Sequence, residues 1–272
     1  MIAAGATLGS LLAALPFDAL ENRILVCHAL KVTRVGLITQ SERILTQAEA
    51  QALSSLVQRR SAGEPIAYIV GRREFFGLDF HVTSDVLIPR PDTELLVELA
   101  LERLPTGARV LDMGTGSGAI AVAIAHSRPD ARVTALDVSE PALAVARANA
   151  LANQVQVRFV LSDWFAALDG EPFEVIASNP PYIASGDSHL AQGDLRFEPT
   201  GALTDHADGL SALRTIAAGA PRHLAPGGWL LMEHGYDQAA QVRTMLEQLG
   251  YSEVQSWRDL AGIERTTGAR AP

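Results

Sequence analysis

The chain has 272 residues, 48% of them apolar and 19% charged, the balance of a folded globular protein, which excludes disorder as its main state. The formal net charge of -9 is uneven: residues 1–85 carry 8 basic and 8 acidic side chains, residues 86–272 carry 14 and 23. So acidic a second part disfavours a tight, nonspecific grip on a phosphate backbone, and no direct nucleic-acid binding is expected.

The single cysteine, Cys27, rules out an intrachain disulfide or a cysteine-built zinc site and reads as a small buried residue of a reducing compartment. The opening "MIAAGATLGSLLAAL" has no basic residue before its apolar run, and Gly5 and Gly9 interrupt it, unlike a secretory signal. No later run reaches the roughly 18 apolar residues of a membrane span. A cytoplasmic protein without a membrane partner is expected.

From residue 8 to about 60, Leu8, Leu11, Leu12 and Leu15, then Ala48, Ala52, Leu53 and Leu56 fall at helical spacing, predicting a module of about four helices. Thr46-Gln-Ala-Glu49 has the form of a capping box, and Pro16 stops an earlier helix. Between 64 and 90 the texture alternates around Gly77 in "REFFGLDFHVTSDVLIPRP", which predicts a β-hairpin linker. Pro89 and Pro91 then lead into a helix expected near Asp92, with Asp92 as its N-cap.

From 109 onward short apolar runs alternate with helical stretches: "RVLDMG", a helix from Ala119, "RVTALDV", a helix from Glu140, "VQVRFVLSD", "FEVIASN", a helix over residues 210–223, "GGWLLMEHG", a helix from Gln238 and "YSEVQSW". This order predicts an α/β fold, a mostly parallel Rossmann-like sheet covered on both faces, with ligands bound at the carboxyl ends of its strands. Residues 183–209 form a polar connection long enough to be a binding loop.

In "LDMGTGSGAIAVAIA" an acidic strand end, Asp112, precedes Gly114, Thr115, Gly116, Ser117 and Gly118, after which an apolar helix opens. Glycines let a ligand approach the backbone, and the helix start offers free N–H groups. Asp137 ends the next strand 25 residues after Asp112, where a carboxylate can accept both hydroxyls of a ribose. The same spacing fits a dinucleotide fingerprint; Asp112 and the glycine alternation favour S-adenosylmethionine. The next strand ends in "LSDWF", where Asp163 can reach an adenine amino group and Trp164 offers a flat face, or else packs in the core.

The fourth strand closes on "SNPPY". An amide or aromatic NH2 is a weak nucleophile, and a site that methylates it must hold both N–H bonds while aiming the lone pair. The Asn179 side-chain oxygen and the Pro180 carbonyl can each accept one N–H, Pro180 and Pro181 restrict the backbone, and Tyr182 can pack on a planar group. The contribution is positioning and stabilisation of charge on nitrogen, and proton loss can follow transfer without a dedicated base.

The motifs "GEPIAYIVGRREFFGLDFHVTSDVLIPRPDTE", "LDMGTGSGAIA", "SDWF", "SNPPYI", "QGDLRFEP" and "LLMEHG" resemble those of the protein-(glutamine-N5) methyltransferases that modify peptide chain release factors, over residues 60–270. The resemblance implies an N-terminal helical domain for substrate recognition (residues 1–63), a hairpin linker (64–90) and a class I methyltransferase domain (91–272). It further implies S-adenosyl-L-methionine as cofactor, S-adenosyl-L-homocysteine as product, no metal, and a monomer acting on the Gly-Gly-Gln glutamine of class I release factors. Carried onto this chain, Gly114 to Gly118, Asp137, Trp164 and Asn179 would bind the cofactor, and Asn179, Pro180, Pro181 and Tyr182 the glutamine. A ribosomal-protein glutamine or adenine N6 would suit the same clamp. A cofactor-binding module without turnover, or a nicotinamide-dependent oxidoreductase, stands further off. Arg90 and Glu198 read equally as a structural tie or as shaping the mouth of the site, and the seven histidines show no metal-ligand spacing.

Overall fold

Side-chain caps start the first four helices of the computed structural model. Thr7 caps α1 (Leu8–Ala14), Asp18 caps α2 (Ala19–Leu30), Thr33 caps α3 (Arg34–Thr39) and Thr46 caps α4 (Gln47–Ser61), the last with the full reciprocal box through Glu49. Each takes up an N–H left unpaired by the first turn. Where Pro16 breaks the run after α1, buried Asn22 donates to the carbonyls of Leu15 at 3.2 Å and Phe17 at 3.0 Å, so both carbonyls at the break find a donor. Leu8, Leu25, Val26 and Leu53 form the centre of this helical core. The structure describes residue 2, residues 5–170 and residues 172–272, in two compact units, residues 1–72 and 73–272.

The strand texture expected from residue 64 begins later. Ile66–Val70 is a short helix, α5, entered from Pro65 and stopped by Gly71 in the left-handed conformation; five residues are too few to display a helical period. The hairpin itself is β1 (Arg72–Phe75) and β2 (Leu78–His81). Phe75 and Phe80 meet edge to face at 6.0 Å and sink into the core of the second unit with Leu96, Val97 and Val122. Nor does Asp92 cap a helix: Pro91–Thr93 is a 3-10 turn leading into α6 (Glu94–Glu102). Pro91 starts the turn one residue earlier than expected, and the Asp92 carboxylate faces Arg265 at 3.4 Å.

The second unit is built on β3 (Arg109–Met113), β4 (Arg132–Asp137), β5 (Arg158–Leu161), β6 (Phe173–Ser178), β7 (Leu224–Glu233), β8 (Ser252–Arg258) and β9 (Glu264–Arg270). They form one sheet in the order β5-β4-β3-β6-β7-β9-β8. The strands β3 to β7 pair in parallel, and β9 and β8 close the far edge antiparallel. The helices between them are α7 (Ala119–Ser127), α8 (Glu140–Ala152), α9 (Thr200–Leu203), α10 (Ser211–Gly219) and α11 (Ala239–Gln248).

Side chains alternate across the sheet as the pleat requires. Val110, Val175, Ala177 and Leu231 join one core with α6 and α7, while Leu111, Ile176, Leu230 and Met232 join a second with α10 and α11. Near the first core the Arg103 guanidinium lies 4.5 Å from the Trp229 ring and 4.6 Å from the Trp257 ring, a cation held between two aromatic faces. The strand order reverses between β3 and β6, which opens a crevice at their carboxyl ends.

Candidate active site

The carboxyl ends of β3, β4, β5 and β6 surround a cavity of about 260 Å³. β3 delivers Asp112, fully buried, whose Oδ2 accepts from the Thr115 hydroxyl at 2.6 Å and the Ala121 amide at 3.2 Å. One carboxylate thus ties the loop to the first turn of α7. The amides of Gly114 and Thr115 both donate to Leu136 O at 2.9 Å, which fastens the loop to β4. Gly118 has a φ of 83°, and a Cβ there would lie 3.1 Å from the Ala146 Cβ. Both the backbone conformation and the close approach of α7 to α8 require glycine at this position. A Cβ at Gly114 or Gly116 would meet nothing within 4 Å, because that side of the loop opens on the cavity.

Among the loop positions expected to bind a ligand, Gly114 and Gly116 line the cavity, whereas Thr115, Ser117 and Gly118 are buried beneath it. The Ser117 carbonyl accepts from Asn149 Nδ2 at 2.8 Å, and the same amide group donates to His81 O at 2.9 Å while its oxygen accepts from His81 N at 2.7 Å. Asn149 of α8 therefore sets the glycine loop against the end of the hairpin.

Asp137 ends β4 on the cavity wall. Its Oδ2 accepts from the Gly116 amide and its Oδ1 from the Ser139 amide, each at 2.9 Å. Burial pushes its pKa up while those amides pull it down, and each oxygen keeps a lone pair for a ligand hydroxyl. After β5, Ser162, Asp163 and Trp164 line the same cavity. Trp164 adopts φ 45°, a conformation that costs a bulky residue about 1–3 kcal/mol. The Ser162 hydroxyl holds it by donating to Trp164 O at 2.6 Å. Trp164 packs against the second core and also lines the cavity.

β6 ends at Ser178, whose hydroxyl donates to Met113 O at 2.8 Å, so β3 and β6 finish level. Asn179 follows and lines two cavities, the large one together with Pro181 and a slot of about 60 Å³ together with Pro180 and Tyr182. Its Nδ2 donates to the Thr93 hydroxyl at 3.1 Å. The Tyr182 hydroxyl donates to Glu233 Oε1 at 3.3 Å, and its carbonyl accepts from Gln238 Nε2 at 2.9 Å. Burial pushes the Tyr182 phenol well above its usual pKa, so it stays a neutral donor.

Arg90 also lines the slot, paired with Glu198. Glu198 is buried and accepts from the Ile88 amide at 3.2 Å through Oε2. Glu198 thus fastens the polar connection to residues 88–90 through both Ile88 and Arg90, and Arg90 also borders the slot. Sequence reasoning missed Val86, Leu87, Gly201 and Ala202, which line the large cavity, because small and apolar side chains carry no chemical signal of their own. Among the described residues no cluster of three or more His, Cys, Asp or Glu is placed to hold a metal. Among the same residues no helix is long and apolar enough to cross a membrane.

Burial raises the Asp112 carboxyl from the ordinary 3.8 to about 7, aided by the Asp137 charge and against the pull of Thr115 and Ala121. The fold then keeps a proton on Asp112 that the unfolded chain has already released between those values. This contribution to stability therefore falls as pH rises, reaching a cost of about 4 kcal/mol once both states are ionised. The melting temperature of D112N relative to wild type is expected to improve from pH 5 to pH 8. A constant difference across that range would refute the shift.

Comparison with known proteins supplies an independent line. Residues 7–71 match the family described as PrmC N-terminal domain, and residues 91–195 the family described as methyltransferase small domain. A release factor glutamine methyltransferase of Burkholderia pseudomallei is 58% identical over 98% of this chain and 97% of its own length. One of Bordetella pertussis is 55% identical over 92% of this chain and 93% of its own. Among solved structures, the Thermus thermophilus 16S rRNA N2 G1207 methyltransferase, in complex with AdoMet and guanosine, superposes with a TM-score of 0.56 at 21% identity, over 74% of this chain and 50% of that one. That likeness is one of fold, the class I methyltransferase α/β architecture.

Proposed function

The chain belongs to the release factor glutamine methyltransferases, and on that premise we propose that it methylates the side-chain amide nitrogen of the Gly-Gly-Gln glutamine in class I peptide chain release factors, using S-adenosyl-L-methionine. The observation that carries this reading is the place of Asn179, on the wall common to the large cavity and the small slot. The slot has room for a few water-sized positions, enough for a planar amide.

The large cavity suits the cofactor on its own chemistry. The sides of Gly114 and Gly116 are open, Asp137 carries spare lone pairs toward ribose hydroxyls, and Asp163 with Trp164 matches the edge and face of adenine. Once bound, S-adenosyl-L-methionine supplies an electrophilic methyl group. Asn179 Oδ1 and the Pro180 carbonyl accept the two N–H bonds of the glutamine amide, and Tyr182 packs beside its plane. These acceptors orient the nitrogen and stabilise the positive charge that develops on it. The proton leaves to solvent after transfer. In this reading the helices of residues 1–63 recognise the release factor.

The test is incubation with S-adenosyl-L-methionine labelled in the methyl group and purified release factor, either wild type or with the loop glutamine changed to alanine. Label on the wild-type factor alone is expected. Equal labelling of both would sink the proposed target.

A further inference from the structure

An asparagine amide has two ends of nearly equal size and opposite polarity, so its value as an acceptor depends on which end faces the substrate. Turned about, Asn179 would present an NH2 group to the NH2 it must bind. In the structure Asn179 Nδ2 is spent on Thr93 Oγ1 at 3.1 Å, leaving Oδ1 for the slot. A threonine hydroxyl can donate as well as accept, so this arrangement holds only if the Thr93 proton is committed elsewhere.

The partner for that proton is Glu233, at the end of β7 and 1% exposed. Its Oε1 accepts from the Tyr182 hydroxyl at 3.3 Å, its Oε2 is buried with no hydrogen-bond donor among the described residues, and the Thr93 hydroxyl lies near enough to favour its charged form. As a carboxylate Glu233 only accepts, which fixes the direction of every bond in the chain. Thr93 accepts from Asn179 and Tyr182 donates to Glu233, which leaves the Thr93 proton to turn toward the carboxylate.

We propose that Thr93 is a positioning residue for methyl transfer, polarised by Glu233 so that Asn179 Oδ1, and not Nδ2, faces the substrate amide. The proposal rests on the reading of Asn179 as the acceptor of the glutamine N–H. It makes a single buried carboxylate responsible for two walls of the slot, the Asn179 amide and the Tyr182 ring.

Protonated Glu233 would be a donor, and the chain would lose its fixed direction. Burial moves this carboxyl from 4.5 up to about 7, with the Asp92 charge adding to the rise and Thr93, Tyr182 and Arg265 opposing it. Arg265 is shared with Asp92 and Asp259 at 3.4 and 3.3 Å, Arg90 faces Tyr182, and His234 is engaged by Thr267 and Gly235. The sign is that turnover declines as pH falls through neutrality.

The experiment compares wild type, Thr93→Val, Thr93→Ser and Glu233→Gln, measuring kcat, KM for the release factor, the Kd of S-adenosyl-L-methionine and the pH profile of kcat. Thr93→Val is expected to lower kcat at least about tenfold with cofactor Kd within about twofold of wild type. Thr93→Ser restores turnover, and Glu233→Gln removes the decline on the acid side. Normal kcat in Thr93→Val, no rescue by serine, or a cofactor Kd that weakens in step with kcat would overturn the proposal. A wild-type enzyme that leaves the release factor unlabelled would overturn the target as well, so the two failures are told apart by the wild type alone.

Discussion

Asn179→Ala is expected to cut methyl transfer to the release factor by about a thousandfold while leaving the Kd for S-adenosyl-L-methionine within about threefold. Alanine removes the acceptor for one substrate N–H, and with it the aim of a lone pair that is already delocalised. Losing one such preorganised group typically costs about two to three powers of ten, and the second acceptor, a backbone carbonyl, cannot hold the amide alone. The cofactor is spared because Asp137, Trp164 and the glycine loop remain on the larger cavity. Single-turnover rates and titration calorimetry separate the two quantities. A folded variant with normal turnover would refute the clamp.

Asp137→Ala should do the reverse, weakening S-adenosyl-L-methionine by about a hundredfold or more and damaging turnover chiefly at low cofactor concentration. Hydrogen bonds to a charged group are worth about 1.5–3 kcal/mol each, and this carboxylate has two kinds of work. It faces a ligand hydroxyl pair in the proposed function, and it holds the amides of Gly116 and Ser139 at 2.9 Å. Asp137→Asn keeps one acceptor oxygen and should fall between wild type and alanine. Unchanged affinity in the alanine variant, read by calorimetry, would remove Asp137 from the ribose.

The outcome along the chain shows which physical signals a sequence exposes. β3, β4, β6 and β7 are buried on both faces, and such strands announce themselves as apolar runs. β9 does not: its buried positions include Thr266, Thr267 and Gly268, and it is interior only because β7 and β8 flank it. Its place is a property of the sheet rather than of its own residues. The hairpin showed its alternation, but the short helix before it was hidden by its length. Asp92 looked like a cap, and its carboxylate is instead turned to a cation on β9.

The site divides in the same way. Asp137, Trp164 and Asn179 stand at strand ends, where the order of elements alone brings them together. Thr93 carries an ordinary hydroxyl, and only the folded chain puts it beside Asn179. Glu233 lies within the motif "LLMEHG", but nothing local marks that carboxylate as the neighbour of Tyr182. The polar and aromatic residues at the strand ends of the cavity were legible; the residues that hold them in place were not.

The guanidinium held between Trp229 and Trp257 has an optical consequence. The chain has three tryptophans, and two of them share this cation over their rings, outside the lining of the large cavity. The third, Trp164, lines it. Their emission is therefore partitioned: a steady background from an indole pair anchored by a cation, and a signal from a single ring that an adenine would cover. A change in fluorescence on adding the cofactor is then a one-residue readout of occupancy, built into the native chain without a label.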